Sequence, residues 1–119
     1  MLLNWAKREV AHFIGGSQSS FPTYFMIGSG SGTPVATETI LVHAADRQAF
    51  TATNGSTIQK VKWTGDWNTA EMSGLGLTEF GVIISGAGVT GSMWSRNSLP
   101  SITFDGTNEL RIEETWEVY

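Results

Sequence analysis

The last stretch of the chain constrains the fold most. From Glu109 to Tyr119, Leu110, Ile112, Trp116 and Val118 alternate with Arg111, Glu113, Thr115 and Glu117. A period of two puts one set on each face of an extended strand. A strand with one apolar face must sit in a sheet that covers a core. The rest of the chain therefore has to supply a sheet.

It does so in short pieces. Phe21 to Ile27 is aromatic and β-branched, with Pro22 near its start, where a missing ladder N–H is tolerated. Arg47 to Thr53 reads as a strand, Asn54-Gly55 as a hairpin turn, and Thr57 to Thr64 as the returning strand. Leu77 to Ser85 is almost continuously apolar, which predicts a central strand buried on both faces. Ser92 to Asn97 and Ile102 to Phe104 follow as strands, and Asp105-Gly106 is a second hairpin signal. Gly28 to Pro34 and Gly65 to Gly76 read as irregular, and Thr37 to Ala45 fits either a short helix or an extended arm.

Only the N-terminus has a helical period. Leu3, Ala6, Val10, Phe13 and Ile14 fall on one face, Asn4 is a candidate N-cap, and Gly15-Gly16 is a stop signal. This predicts a helix over residues 4–14, too short to be stable unless it docks. The expected fold is mainly β: an antiparallel β-sandwich, or a barrel-like variant, with one N-terminal α-helix. The 119 residues suit a single domain over 1–119, with the sandwich spanning 21–119.

Composition narrows function. Charged residues are only 15% of the chain, below the usual quarter, so part of the surface is expected to be covered by neighbouring chains. The net charge of -4 argues against nucleic acid, which needs a basic footprint. No apolar run is long enough to span a membrane, and Lys7, Arg8, Glu9 and His12 break the N-terminal pattern that a signal peptide would need.

The residues that carry chemistry are sparse. There is no cysteine, and His12 and His43 lack the three or four convergent ligands of a metal site, even with Asp46 near His43. Gly28-Ser29-Gly30-Ser31-Gly32 spells a nucleophile elbow, but Thr33-Pro34 follows it where a helix is required, and a phosphate loop would need a Lys. Glu113 and Glu114 point to opposite faces, and nothing supports Glu71 with Glu79 as an acid–base pair. The expectation is no catalytic residue, no metal and no cofactor.

Two carboxylates are out of place. Glu114 shares a face with Leu110, Ile112 and Trp116, and Glu79 lies inside an apolar strand. A buried carboxylate needs a partner, and Arg47 or Arg96 would serve. Among the five tryptophans, Trp63 and Trp116 alternate with polar neighbours and read as core. Trp67, in Gly-Asp-Trp-Asn, reads as an exposed contact, and Trp5 as an interface residue. Gly28, Gly30 and Gly32 mark a loop that orders against a partner, and Glu114 joins these candidate interface positions.

The order of segments resembles small virion proteins of tailed bacteriophages and the N-terminal attachment domains of tail-collar and tail-fibre proteins. The segments are Ile14-Gly15-Gly16, Met26 to Pro34, Thr37 to Leu41, Asp46-Arg47, Leu77 to Val82, Met93 to Arg96 and Trp116 to Tyr119. The resemblance runs from about Phe13 onward and implies a β-sandwich-like virion component, assembled in the host cytoplasm. Such a component works as a homo-oligomer, a trimer or hexamer, that docks on the tail or baseplate or anchors a fibre. It also implies a structural ion pair between Glu79 and Arg47. With no fibre after Tyr119, the expectation is a stand-alone piece. A capsid decoration or head-fibre protein is the nearest alternative. A carbohydrate-binding module that meets a host glycan through Trp67 is another.

Overall fold

The computed structural model describes residues 2–16, 22–38, 40–54, 60–83 and 93–117. Its strands form two antiparallel sheets, and a single long helix precedes them. The elements are α1 (Asn4–Ile14), β1 (Tyr24–Gly28), β2 (Ala44–Ala49), β3 (Thr51–Asn54), β4 (Lys60–Trp67), α2 (Thr69–Met72), β5 (Gly76–Ile83), β6 (Met93–Thr103) and β7 (Leu110–Glu117). One sheet has the order β2-β1-β5-β6 and the other β3-β4-β7. The architecture is the sandwich that the alternation predicts, and not a closed barrel.

The chain changes sheets at chemically distinct points. The predicted strand over residues 47–53 is divided between β2 and β3, one in each sheet, with Phe50 between them. After β4, Asn68 caps α2 with a capping box: its Oδ1 accepts from Glu71 N at 2.9 Å, and its own N–H donates to Glu71 at 2.8 Å. Asp105-Gly106 joins β6 to β7, which lie in different sheets, so the hairpin expected there is instead a crossover. Asp105 accepts from Thr107 N–H at 3.0 Å, an Asx turn that uses the same residue types as a hairpin. The Asn54-Gly55 turn lies partly outside the described residues, but β3 and β4 pair antiparallel on either side of it.

Two apolar layers follow. Phe25, Ile27 and Val82 face the second sheet, where Trp63, Trp67 and Ile112 meet them, with Met72 and Phe104 closing the ends. Met26, Ile83 and Met93 cover the opposite face together with Leu3 and Leu41. β5 lies between β1 and β6, and its last three residues are buried, as expected of an inner strand covered on both sides. An aromatic chain fills the interior: Phe50 stacks on Trp63 at 4.9 Å, and Trp116 packs between Trp63 and Trp94 at 5.5 and 6.3 Å.

Helix α1 has the predicted extent but presents a different face. Its start has no side-chain cap. Instead Leu3 N donates to Trp94 O and Asn4 N to Ala36 O, both at 2.8 Å. Ala6 and Glu9 are buried, while Val10, Phe13 and Ile14 are 38%, 61% and 79% exposed. The helix touches the sheet along β6, and its buried residues, Ala6 and Glu9, lie in its first two turns. Gly16, at φ +81°, ends it.

Candidate functional site

The densest polar arrangement is built around Glu79 on β5, which is fully buried. Oε1 accepts from Gly30 N at 3.0 Å and His43 N at 2.7 Å. Oε2 accepts from Val42 N at 3.1 Å and from Arg96 Nε at 2.9 Å. Arg96, on the neighbouring strand β6, is also fully buried. Its NH1 reaches Glu38 at 3.0 Å, and its NH2 lies 3.4 Å from the carbonyls of Ser31 and Gly32. Glu38 in turn accepts from Val35 N–H at 3.1 Å. One guanidinium thus joins two carboxylates and two backbone carbonyls.

Burial alone would push the Glu79 carboxyl upward. The hydrogen bonds from His43, Arg96, Val42 and Gly30 outweigh it and hold the group below the usual glutamate range. Four donors occupy the acceptor sites of this carboxylate, which leaves none for a substrate. The arrangement clamps two segments to β5 and β6: the glycine loop over residues 28–32, and the arm at Val35, Glu38, Val42 and His43.

The ion pair implied by resemblance therefore has a different cation. Arg47 lies on β2, opposite Met26, and β1 stands between β2 and β5. Two strand spacings, about 10 Å, separate it laterally from Glu79, whereas Arg96 is one strand away. Arg47 lines a depression of about 220 Å³ with Met26, Ala44, Ala45 and Asp46.

The glycines belong to this cluster. A Cβ on Gly28 would lie 2.7 Å from Glu79 Oε1 and overlap the His43 carbonyl. A Cβ on Gly30 would overlap Glu79 Oε1 and the Val42 side chain. Gly32 contributes its carbonyl to Arg96. The loop expected to order against a partner is ordered by the chain's own ion cluster.

Trp67 is not an exposed contact: it is 1% exposed, and its Nε1 donates to Asp46 Oδ2 at 3.1 Å. It continues the inward phase of Val61, Trp63 and Gly65 on β4. A glycan platform built on Trp67 is thereby removed. Trp5 is half-buried, edge-on to Trp94 at 6.2 Å, with the Arg8 guanidinium 5.9 Å from its ring centre.

Glu114 lies away from the Glu79 cluster, on β7 in the other sheet. Burial pushes its carboxyl above the usual range, and the Trp116 side chain pulls the other way without cancelling it. Oε2 of Glu114 and Nε1 of Trp116 are buried without a hydrogen-bond partner among the described residues. On the outer face of the same sheet, charges pair across strands: Arg111 with Asp66 at 2.7 Å, Lys62 with Glu113 at 3.8 Å and Lys60 with Glu117 at 3.7 Å.

Sequence reasoning named Glu79 and Arg96 but left the cation open, and it missed Glu38. Arg96 carried a weak signal, a charge two residues after Met93-Trp94 in a predicted strand. Glu38 carried none, because its segment has no period. Among the described residues no helix is long and apolar enough to cross a membrane. Comparison with protein-family models, curated proteins and solved structures gives no match.

Proposed function

We propose that this chain is a structural component of a tailed-bacteriophage virion, a tail, baseplate or fibre-attachment protein that acts by assembling with other virion proteins. The observation that carries the assembly reading is the second half of α1. It holds Val10, Phe13 and Ile14 toward the outside, on a helix whose start is fixed by hydrogen bonds to β6 and to Ala36. An apolar patch on a fixed support suits a protein neighbour. The virion half rests on the resemblance. Four of its segments, those carrying Gly28 to Gly32, Glu38, Glu79 and Arg96, meet at the ion cluster and so form one spatial unit.

Particles purified from the host that carries this gene test the proposal by quantitative mass spectrometry. A few copies per particle is the expected result. Many copies would indicate capsid decoration, and absence would overturn the proposal. Exchanging Val10, Phe13 and Ile14 for Ser is expected to leave the isolated fold intact and to abolish incorporation.

A further inference from the structure

β7 is the edge of its sheet, and among the described residues it hydrogen-bonds only to β4. Its eight residues make a long edge strand, and such an edge is a template for another strand. We propose that β7 pairs antiparallel with β7 of a second copy of this chain, about a two-fold axis through Glu114, so that the two sheets become one. The proposal deepens the assembly reading and rests on it for its biological use, but its chemistry belongs to the isolated chain.

The charges select the register. Residues opposite each other in a continuous sheet point to the same face, so the two-fold must pass through a residue rather than between two. An axis through Ile112 pairs only Leu110 to Glu114. An axis through Glu113 sets that carboxylate against its own copy on the outer face and faces Arg111 with the partner's Thr115. An axis through Glu114 pairs the strand from Arg111 to Glu117 and places Arg111 opposite the partner's Glu117. Within one chain Arg111 already lies opposite Asp66, and Glu117 opposite Lys60. The row across the interface then reads Asp66, Arg111, the partner's Glu117, the partner's Lys60. The signs alternate throughout, and symmetry repeats the row. On the inner face Ile112 meets the partner's Trp116, an apolar cross-strand pair.

The same axis also brings a partner to the inward carboxyl of β7. The buried Glu114 Oε2 has no partner among the described residues. On the axis it faces the same carboxyl of the second copy, at a cross-strand spacing of about 5 Å between Cβ atoms. Two carboxyls at that distance share a proton, one donating its O–H to the other.

Sedimentation equilibrium of the whole chain tests this. The native chain is expected to dimerise. Arg111→Glu and Glu117→Arg, each alone, set like charges together twice per dimer and are expected to raise Kd about tenfold. Mixing the two variants is expected to restore the native Kd, because each introduced charge then meets its opposite. Strain within each chain, against Asp66 or Lys60, is the same alone and mixed, so recovery can come only from the interface. A native chain that stays monomeric, a dimer indifferent to both substitutions, or a mixture no tighter than its components would each overturn the pairing. A monomer that is nevertheless found in virions removes this inference and leaves the function. A dimer absent from virions does the reverse.

Discussion

Replacing Arg96 with Met tests whether the Glu79 cluster holds the fold together. Met keeps most of the length and apolar volume of the stem, so the change removes mainly the charge and its hydrogen bonds. Glu38 is partly exposed and can regain water. The carbonyls of Ser31 and Gly32 lose only long contacts of 3.4 Å. Glu79 cannot recover, because it is fully buried and its Oε2 keeps only Val42 N–H. Breaking one side of a buried pair costs about 3–5 kcal/mol. A domain of this size has about 5–15 kcal/mol in total and shifts by about 3–6 °C per kcal/mol, so the melting temperature should fall by roughly 10–30 °C. Urea denaturation followed by tryptophan fluorescence reads the same quantity. The companion variant is Glu79→Gln. In the native background it faces Arg96 with an amide and is destabilising. In the Arg96→Met background it removes the stranded charge, so the double variant should be no less stable than Arg96→Met alone. A loss under about 1 kcal/mol for Arg96→Met, or simple additivity in the double variant, would refute the clamp.

Other positions give sharper contrasts. Gly30→Ala should cost about 1–3 kcal/mol through overlap with Glu79 and Val42, whereas Gly76→Ala, with open space around it, should be neutral or gain up to about 1 kcal/mol; thermal melts of the pair decide. Trp67→Phe should lose about 1–2 kcal/mol in denaturant titration with its bond to Asp46, and the isolated protein should show no glycan binding that depends on this residue. Melting against pH should have two limbs about the ordinary glutamate value of 4.5. Glu114 is raised in the folded state, so its penalty is present at neutral pH and fades as pH falls toward 4.5. Glu79 is lowered, so its contribution is complete above 4.5 and is lost as pH falls below it. Glu114→Gln should raise the neutral-pH melting temperature and erase the first limb only.

Much of the fold could be read in advance because period and burial coincide in it. β7 follows its alternation, β5 is the inner strand that its apolar run predicts, and α1 has its expected ends. The failures have physical sources. Asp-Gly chemistry suits a crossover as well as a hairpin, and only the partner strand tells them apart. The apolar stripe of α1 was long enough to cover a sheet, but the helix is turned so that Ala6 and Glu9 are its buried residues, and Val10, Phe13 and Ile14 are exposed. Trp67 looked exposed because its neighbours Asp66 and Asn68 are polar, yet the two-residue phase from Val61 pointed inward. At the ion cluster, Glu79 was legible as a charge among apolar residues. Its partner was not, since strand order decides between Arg47 and Arg96 and no local signal encodes it.

The cluster and the helix are linked through two backbone atoms. Leu3 N–H is held by Trp94 O, two residues before Arg96 on β6. Asn4 N–H is held by Ala36 O, two residues before Glu38 on the arm. Arg96 and Glu38 are bonded to each other at 3.0 Å. The uncapped start of α1 therefore hangs from two segments that one guanidinium ties together. Gly28 and Gly30 complete the link, because any side chain there would displace the carboxylate that fixes the guanidinium. Weakening the cluster should thus loosen the helix first, before the second sheet opens, since the ladder of β4 with β7 does not depend on it. A chain with few charges has placed its most buried ones where they set the angle of its most exposed apolar surface.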